Sequence, residues 1–404
     1  MLIVQKFGGS SLATNERIMN VAKRVANSYD SGNSIVVVLS AIGKTTNNLI
    51  DRAMSINKSC SKRELDMLLS TGEQQSCALM AMALHSLGYP AVSLNASQVS
   101  ILSSSDFGNA RIQNIQTNRI KSEIEKRNIV IITGFQGIDK NNEITTLGRG
   151  GSDTTAVAIA CVLGANACEI YTDVDGVYTA DPNLIENSIK LKEINYDEML
   201  ELTSLGAKVL HNRSVEIAKK YNLNIVVKSS LNNEEGTIIK EKANMEKMLI
   251  SGVATDRDVA KITIHGLKDI PGLAFKIFSL ISKRNIVVDI IVQSTLNEDS
   301  NDISFTVQKK DLKETISILE KNKDYLEYRD LTYTNNLVKL SIVGAGLASS
   351  PGLATAMFEA LYDAHVNIQV ISTSEIKISV LIDEDKEKIA AKSVHEKLIE
   401  RSMG

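Results

Sequence analysis

A repeat in the C-terminal half constrains the fold of this 404-residue chain more than any other feature of its sequence. The segment Pro271-Gly272-Leu273-Ala274 returns as Pro351-Gly352-Leu353-Ala354, after 351 − 271 = 80 residues. Each copy reads as strand, proline-glycine turn, helix, strand, strand and helix. Two copies at this period predict a pair of small domains rather than a solenoid. Apolar positions stay in step after the turn: Phe278 with Phe358, Ile281 with Leu361, Ile286 with Val366, and Ile291 with Ile371.

The two copies end differently, and this difference predicts an exchanged strand. A further strand candidate, residues 327–333, follows the first copy, whereas the second copy reaches only a predicted helix at residues 386–401. A sheet of three strands would leave an open edge that invites unwanted pairing. Residues 248–254, just before the first copy, form an unassigned strand candidate. We therefore predict that this strand completes the second repeat, so that the interlocked pair begins near Met245.

The first 230 residues alternate between apolar strands and helices. Strands are predicted at Ile35–Leu39, Ile129–Ile132 and Ile225–Val227, and helices near residues 76–87 and 156–160. Unbroken apolar strands of this kind are buried on both faces of a mainly parallel sheet. They predict an α/β domain in layers, with ligands at the C-terminal ends of the strands. The predicted organisation is an α/β domain at 1–232, a linker at 233–247, a first repeat at 248–335 and a second repeat at 336–404.

Charge and composition exclude several classes of partner. The net charge is −3 and the isoelectric point about 6.1, so no basic field invites nucleic acid or an anionic membrane. The apolar runs are far shorter than a membrane span. The four cysteines show no spacing typical of a metal site, so we expect buried thiols in a reducing compartment. We therefore expect a soluble, cytoplasmic protein.

The first glycine loop, Lys6-Phe7-Gly8-Gly9-Ser10-Ser11, follows a strand and precedes a helix. Glycines let a backbone approach a phosphate group, and N–H groups at a helix N-terminus bind anions. Lys6 adds a positive charge where a transferring phosphoryl group would become negative. The lysine precedes the glycines, so this is not a P-loop. Taken alone, the pattern is explained equally well by a tight turn with a solvated lysine.

The second glycine loop, residues 145–155, indicates a site more strongly. Glycines flank Arg149, and Ser152-Asp153 then begins an alanine-rich helix. Ser or Asp at this place could serve only as a helix cap. A cap does not explain Arg149, whose planar guanidinium suits a carboxylate or a phosphate.

Three weaker segments also carry polar groups after strands or at helix starts. The segment 40–46 places hydroxyl groups after the strand Ile35–Leu39, and Thr71-Gly72-Glu73 places a carboxylate beside a glycine. The loop 171–182 combines acidic residues, tyrosines and a glycine but lacks the glutamate that completes a calcium-binding EF-hand loop. By themselves, Thr71-Gly72-Glu73 is better explained as a solvated helix start, and the loop 171–182 can be explained as a surface turn.

Together these segments resemble the aspartokinases of the amino-acid kinase superfamily, and the likeness covers essentially the whole chain. The two repeats look like ACT domains, βαββαβ modules that bind amino acids at their mutual interfaces. The resemblance implies an amino-acid-kinase-type αβα sandwich followed by two ACT-like domains. The motifs that carry it are Lys6–Ser11, Ser40-Ala41, Gly134–Gly137, Thr146–Asp153, Thr172–Tyr178 and Gly206–His211.

The resemblance also implies roles for individual residues. Lys6 and Asp153 would be catalytic, with Asp153 orienting Lys6. The nucleotide would be held by Lys6, Gly8, Gly9, Ser10, Thr172, Asp173, Tyr178 and Lys208. Aspartate would be held by Ser40, Thr46, Glu73, Arg149, Gly150, Gly151 and Ser152, with Glu73 facing its ammonium group and Arg149 a carboxylate. Effectors would bind near Gly272, Ala274, Asp289, Gln293, Asn367 and Ile368.

Two residues depart from the family pattern. Phe107 precedes Gly108-Asn109-Ala110-Arg111 where the family often has histidine, and Val287 stands where asparagine is expected. Asn367 keeps the corresponding position in the second repeat. The departure at Val287 bears on the effector contacts and not on the kinase reaction.

The implied activity is phosphorylation of the side-chain carboxylate of L-aspartate by ATP and Mg²⁺, the first step toward lysine, threonine and methionine. That carboxylate is already ionised at pH 7, so no general base is needed. Mg²⁺ would be held largely by phosphates and water, so no dedicated protein metal site is expected. Lysine, threonine or both would inhibit a homo-oligomer joined through its ACT domains, and a separately translated regulatory subunit could start near Met245. The alternatives are a kinase for another amino acid, such as glutamate, and an amino-acid sensor without turnover.

Overall fold

The computed structural model describes residues 1–206, 209–242, 249–297, 300–348, 350 and 352–400. The chain forms two compact units. The first unit comprises residues 1–178 and 189–245, and the second comprises residues 179–188 and 246–404. Lys208 and Met245, which carry two of the predictions, lie outside the described residues. In the described parts of the chain, no helix combines the length and the apolar character that crossing a membrane requires.

The first unit is built from twelve strands and eight helices in its described part. The strands are β1 Leu2–Phe7, β2 Ser34–Leu39, β3 Ala91–Leu94, β4 Ile101–Ser103, β5 Ile112–Ile115, β6 Ile129–Thr133, β7 Gln136–Ile138, β8 Ile144–Thr146, β9 Ala167–Thr172, β10 Glu193–Asn195, β11 Ile225–Ser229 and β12 Thr237–Lys240. The helices are α1 Asn15–Asp30, α2 Thr45–Ile56, α3 Lys62–Leu69, α4 Thr71–Ser86, α5 Asn118–Glu125, α6 Gly151–Leu163, α7 Tyr196–Ser204 and α8 Asn212–Tyr221.

Eight of these strands form one large sheet in the order β10-β12-β11-β9-β1-β2-β6-β3. The pairs from β11 to β3 are all parallel, and only the β11–β12 pair is antiparallel. The predicted mainly parallel sheet is therefore confirmed. The strand β12 lies within the segment predicted as a linker. This part of the segment belongs to the sheet, because Thr237 and Ile239 are buried and pair with β11. The other four strands form a small sheet in the order β5-β4-β7-β8.

Helices cover the large sheet in two layers. Apolar side chains of α1 and α4 share one core with Phe7, Ile35 and Val37 of the central strands. The helix α6, whose alanines are almost all fully buried, packs against β1, β2 and β9. Its last turn ends at Gly164, which adopts a positive φ of 64° and stops the helix.

The second unit contains eight strands and five helices in its described part. The strands are β13 Gly252–Asp256, β14 Ala260–Lys268, β15 Val288–Asn297, β16 Ser300–Val307, β17 Asp330–Thr334, β18 Leu337–Val343, β19 Val370–Thr373 and β20 Lys377–Asp383. The helices are α9 Leu273–Ser282, α10 Leu312–Lys321, α11 Lys323–Leu326, α12 Leu353–Asp363 and α13 Glu387–Leu398.

Each repeat builds one antiparallel sheet of four strands. The first sheet has the order β15-β16-β14-β17, and the second has the order β13-β18-β20-β19. The strand β13, from the segment before the first repeat, pairs with β18 of the second, with Val253 opposite Ile342. It occupies the edge that β17 occupies in the first sheet.

Ten residues of the segment predicted for the first domain belong to the second unit. Thr179–Ser188 lies with the repeats because Val253 N donates a hydrogen bond to Thr179 O at 2.7 Å. The hydroxyl of Thr179 is also hydrogen-bonded to Nε2 of the fully buried His395, on α13, at 2.8 Å. These contacts are made between residues far apart in the chain, so local sequence patterns do not reveal them.

Candidate active site

The carboxyl ends of the central strands surround a cavity of about 310 Å³ in the first unit. Loops after β1, β2 and β6 meet there with the N-terminus of α6, as the predicted sheet requires. The cavity brings together both predicted catalytic residues and all seven residues predicted to bind the substrate aspartate. Both glycines predicted to hold phosphate also line it. Its lining residues are Lys6, Gly8, Gly9, Ser40, Ala41, Gly43, Thr46, Glu73, Phe135, Gly148, Arg149, Gly150, Gly151, Ser152 and Asp153.

A nearly buried ion pair lines this cavity. Lys6, the penultimate residue of β1, places Nζ 2.6 Å from Oδ1 of Asp153, in the first turn of α6. The two side chains retain only 11% and 13% of their exposure. Held by its carboxylate partner, the ammonium group lies at a wall of the cavity together with the N-terminus of α6, which favours anions.

Close backbone approach explains the glycines of these loops. A Cβ atom on Gly9 would lie 2.6 Å from Ala41 O, and one on Gly150 would lie 2.3 Å from the His211 side chain. Gly150 also has a positive φ of 70°. Side chains at these positions would therefore force the loops apart or strain the backbone.

Glu73 is a buried carboxylate in the first turn of α4. One oxygen accepts a hydrogen bond from Ala41 N at 3.1 Å, and the other is buried with no hydrogen-bond partner in the described part of the chain. Burial raises the pKa of Glu73 to about 7, against the opposing effect of hydrogen bonds from backbone N–H groups, including that of Ala41. The alternative of a solvated helix start is wrong for this residue, which is only 3% exposed.

Arg149 lies at the tip of the second glycine loop. It is exposed and forms no ion pair with any described residue. Its guanidinium group is therefore available to a ligand in the cavity. Ser40 and Thr46, also on the cavity wall, are half-buried.

Four of the predicted nucleotide residues lie outside the cavity lining. Thr172 ends β9, next to β1, and its hydroxyl donates to Asp173 Oδ1 at 3.0 Å. The Tyr178 hydroxyl donates to Asp175 Oδ1 at 2.9 Å. Ser10 is exposed, and its carbonyl accepts from Arg17 Nη1. These residues lie around the same edge of the sheet rather than in the cavity.

The predicted effector residues lie at the start of α9, on β15 and just before β19 in the second unit. Gly272 (φ 89°) caps α9, and Ala274 is in its first turn. Asp289, on β15, forms an ion pair with the buried Lys339 of β18 at 2.5 Å and so joins the two repeats. Beside this pair, Val259 and Ile290 share an apolar cluster with the second repeat. The other three, which are exposed or half-buried, are Gln293 on β15 and Asn367 and Ile368 before β19.

Sequence reasoning missed two charged residues that support the second glycine loop. Asp66, on α3, accepts hydrogen bonds from Thr146 N in this loop and from Gly108 N in the neighbouring segment 107–111. Arg213, on α8, likewise donates to one carbonyl of each stretch, Leu147 O and Ala110 O. Neither residue belongs to a recognisable motif, and their partners are 42 to 103 residues away. No local signal in the sequence distinguishes them from surface charges.

A second, larger cavity of about 570 Å³ lies along α1 and residues 230–233. Its charged lining residues are Arg17, Lys23 and Arg24, and no carboxylate is found among the described residues that line it. The groups suited to bind an amino acid and a phosphate therefore converge in the smaller cavity.

Comparisons with known proteins agree with this arrangement. Residues 1–229 match the amino acid kinase family, and residues 262–322 and 340–398 each match the ACT domain. An aspartokinase from Bacillus sp. strain MGA3 is 48% identical over 396 residues, covering 98% of this chain and 96% of its own length.

Two solved structures extend the likeness. The structure of aspartate kinase from Synechocystis is 42% identical, with a TM-score of 0.56, and the match covers 98% of this chain and 69% of that one. E. coli aspartokinase III in complex with aspartate and ADP has the same fold, with a TM-score of 0.84 at 24% identity, and the match covers 98% of this chain and 100% of that one. The chain belongs to the amino acid kinase family and, within it, to the aspartokinases.

Proposed function

We propose that this protein transfers the γ-phosphoryl group of ATP to the side-chain carboxylate of L-aspartate. One observation carries the proposal: the Lys6–Asp153 ion pair shares a 310 Å³ cavity with a buried carboxylate, Glu73, and with Arg149, which forms no ion pair with the described residues. The near-full-length similarity to an aspartokinase at 48% identity supports aspartate as the substrate.

The charges of the cavity match those of an amino acid with two carboxylates. The Glu73 carboxylate would face the substrate ammonium group, because its unpartnered oxygen lies at the cavity wall. Arg149 would bind a carboxylate with two N–H groups in parallel. Ser40, Thr46 and the N–H groups of Gly150, Gly151 and Ser152 would complete the site for the second anion.

ATP would lie along the edge formed by the ends of β1 and β9. Gly8, Gly9 and Ser10 would contact its phosphates, Lys208 would add charge, and Thr172, Asp173 and Tyr178 would line the nucleoside. The described carboxylates near this path include Asp153, which is paired with Lys6, and Asp173 and Asp175, which accept hydrogen bonds from the hydroxyls of Thr172 and Tyr178. This donor set fits Mg²⁺ held mainly by phosphate oxygens and water, where it would neutralise charge on the phosphates.

The reaction needs alignment and charge neutralisation rather than proton transfer. A side-chain oxygen of aspartate forms a bond to the γ-phosphorus while the bond to the β,γ-bridging oxygen breaks, so that ADP leaves. Lys6 neutralises charge on the transferring group, and Asp153 fixes the position of the Lys6 ammonium group. The cavity holds two anions in line, which supplies much of the rate gain.

Regulation would reside in the second unit. The two ACT-domain matches and the ion pair between Asp289 and Lys339 support an effector site at the junction of the repeats, for lysine, threonine or both. We further propose a homo-oligomer formed through these domains and a regulatory subunit that starts near Met245.

A coupled assay of ADP release tests the proposed function. The parent protein should release ADP with aspartate and not with glutamate. Lys6→Ala and Asp153→Ala should each lower kcat by about a hundredfold or more, with a much smaller rise in KM, since these groups act mainly in the transition state. Preference for glutamate would favour the alternative kinase, and a parent without turnover would favour a sensor. A kcat within a few-fold of the parent for both variants would refute the assignment of Lys6 and Asp153.

A further inference from the structure

The second glycine loop carries Arg149, yet Arg149 itself is not fixed by any ion pair with the described residues. Its position therefore depends on how the loop backbone is held at its base. The base consists of the end of β8 with Leu147 and of the segment 107–111. These two stretches are paired, since Ala110 N donates to Thr146 O at 2.9 Å.

Asp66 accepts hydrogen bonds from both stretches. It lies on α3, is 1% exposed, and accepts hydrogen bonds from Gly108 N, Thr146 N and the Thr146 hydroxyl at 2.7 to 2.8 Å. Burial raises the pKa of Asp66, and these three hydrogen bonds oppose that rise. A buried carboxylate is costly unless it is fully hydrogen-bonded, and here all three donors belong to the base of the loop.

Arg213 donates hydrogen bonds to the same two stretches. It lies in the first turn of α8, where Nη1 donates to Leu147 O at 2.7 Å and Nη2 donates to Ala110 O at 2.9 Å. The planar guanidinium bridges both carbonyls at once, which a lysine ammonium on its flexible stem cannot reproduce.

The loop itself leaves little freedom above this base. Gly148 has a φ of 78° and packs closely against the segment 107–111. A Cβ atom on Gly148 would lie only 3.0 Å from Gly108 O. Leu147 N also donates a hydrogen bond to Phe135 O at 2.8 Å, and Gly151 N donates to Gly148 O at 3.0 Å within the loop. A shift of the base therefore moves Arg149 relative to the cavity.

We propose that Asp66 and Arg213 are positioning residues that hold the Gly148–Gly151 loop, and that through it they set the affinity of the enzyme for its amino-acid substrate. This inference rests on the proposed function of Arg149. Neither residue lines the cavity, so each acts through the loop backbone and not on the substrate. Holding a binding group in place before the substrate arrives removes an ordering cost from binding.

The variants Asp66→Asn and Arg213→Lys test the inference with the full-length protein. Asparagine keeps the size of the side chain but replaces one of the two accepting oxygens by an NH₂ group, so the three donors no longer all find an acceptor. Both variants should raise KM for aspartate, and the Kd for aspartate measured by calorimetry, about tenfold or more. KM for ATP should stay within about threefold, because the ATP phosphates contact other loops.

Glu123→Gln is a matched control. Glu123 is also a buried carboxylate with several donors, among them Asn128 Nδ2 and Lys126 Nζ, but it lies before the N-terminal end of β6, away from the cavity. Its variant should lose thermal stability without any change in KM. A purely structural role for Asp66 would give the same result as this control.

Two outcomes are decisive. A rise in KM and Kd for aspartate in both variants, with the control unchanged, supports the inference. Aspartate KM and Kd within about twofold of the parent in both variants overturn it, whatever the loss of stability. If Asp66→Asn does not fold, Arg213→Lys and Thr146→Val, which removes only one hydrogen bond to Asp66, decide in the same way. Failure of the proposed function is distinguishable, since the parent itself would then show no aspartate-dependent ADP release.

Discussion

Replacing Glu73 by glutamine should make the protein more stable at alkaline pH while weakening substrate binding. The pKa of Glu73 is raised by burial to about 7, from 4.5. The difference of about 2.5 pH units, at about 1.4 kcal/mol for each, corresponds to about 3.5 kcal/mol. Glutamine has the same shape as glutamate but does not ionise, so the variant does not lose this stability at alkaline pH.

The sign of the effect follows from proton binding. Between about pH 4.5 and pH 7 the folded protein holds a proton on Glu73 that the unfolded chain has already lost. The free energy of unfolding of the parent therefore falls as pH rises through this window. Relative to Glu73→Gln, the parent should lose about 2 to 3 kcal/mol between pH 5 and pH 8.5.

Scanning calorimetry of the full-length parent and variant at a series of pH values measures this gap. The control Glu123→Gln should behave in the opposite way, because hydrogen bonds from Asn128 and Lys126 lower the pKa of Glu123. Its carboxylate contributes stability above its unfolded pKa, and this contribution is lost as pH falls. A gap between Glu73→Gln and the parent that stays constant from pH 5 to pH 8.5 would refute the argument from burial.

The same residue links protonation to substrate binding. An ammonium group beside Glu73 favours its ionised form, so aspartate should displace about half a proton from the parent at pH 7. Calorimetric titrations in two buffers with different ionisation enthalpies measure this proton release. The variant should bind aspartate more weakly and release no proton from this position.

Three further predictions concern recognition and regulation. Arg149→Lys keeps the charge but loses the planar fork, so KM for aspartate should rise strongly while the Kd for ATP stays unchanged; a variant that mainly weakens ATP would overturn this placement. Deleting residues 250–404 should abolish inhibition by lysine and threonine, and inhibition that persists would remove the effector site from the second unit. Val253→Asp puts a carboxylate at a position of β13 that is 3% exposed, which should lower the stability of the second unit by several kcal/mol and weaken feedback inhibition, as calorimetry and inhibition curves would show.

Much of the fold was predictable because its signals are local or periodic. The strands near residues 35, 129 and 225 are unbroken apolar runs, and the structure places them at β2, β6 and β11. The convergence of the glycine loops on one cavity was predictable because the strand ends of a parallel sheet lie at one edge, where separate motifs meet. The strand order and the partners of the loops do not follow from such signals.

The parts that sequence reasoning did not predict depend on distant partners. Thr237–Lys240 follows a polar stretch and reads as a linker, yet it joins the large sheet through β11. The roles of Asp66 and Arg213 depend on hydrogen bonds to backbone groups, and backbone groups are the same in every sequence. Glu73 lines the same cavity as the glycine loops, but its raised pKa arises from burial, which the sequence alone does not reveal.

The exchange of β13 makes the two repeats one folding unit rather than two. Each sheet has an edge strand beside the first strand of its repeat, which is β14 in the first repeat and β18 in the second. In the first repeat this edge strand is β17, which follows in the same repeat. In the second repeat it is β13, which precedes the first repeat in the chain. The second sheet is therefore incomplete until residues 252–256 pair with residues 339–343, across the entire first repeat. Closing so long a loop costs conformational entropy, which the apolar cluster and the Asp289–Lys339 pair between the repeats help to offset. An effector at this junction would thus act on two sheets that share one segment of chain, because a shift of β13 against β18 is also a shift at the start of β14, only four residues later.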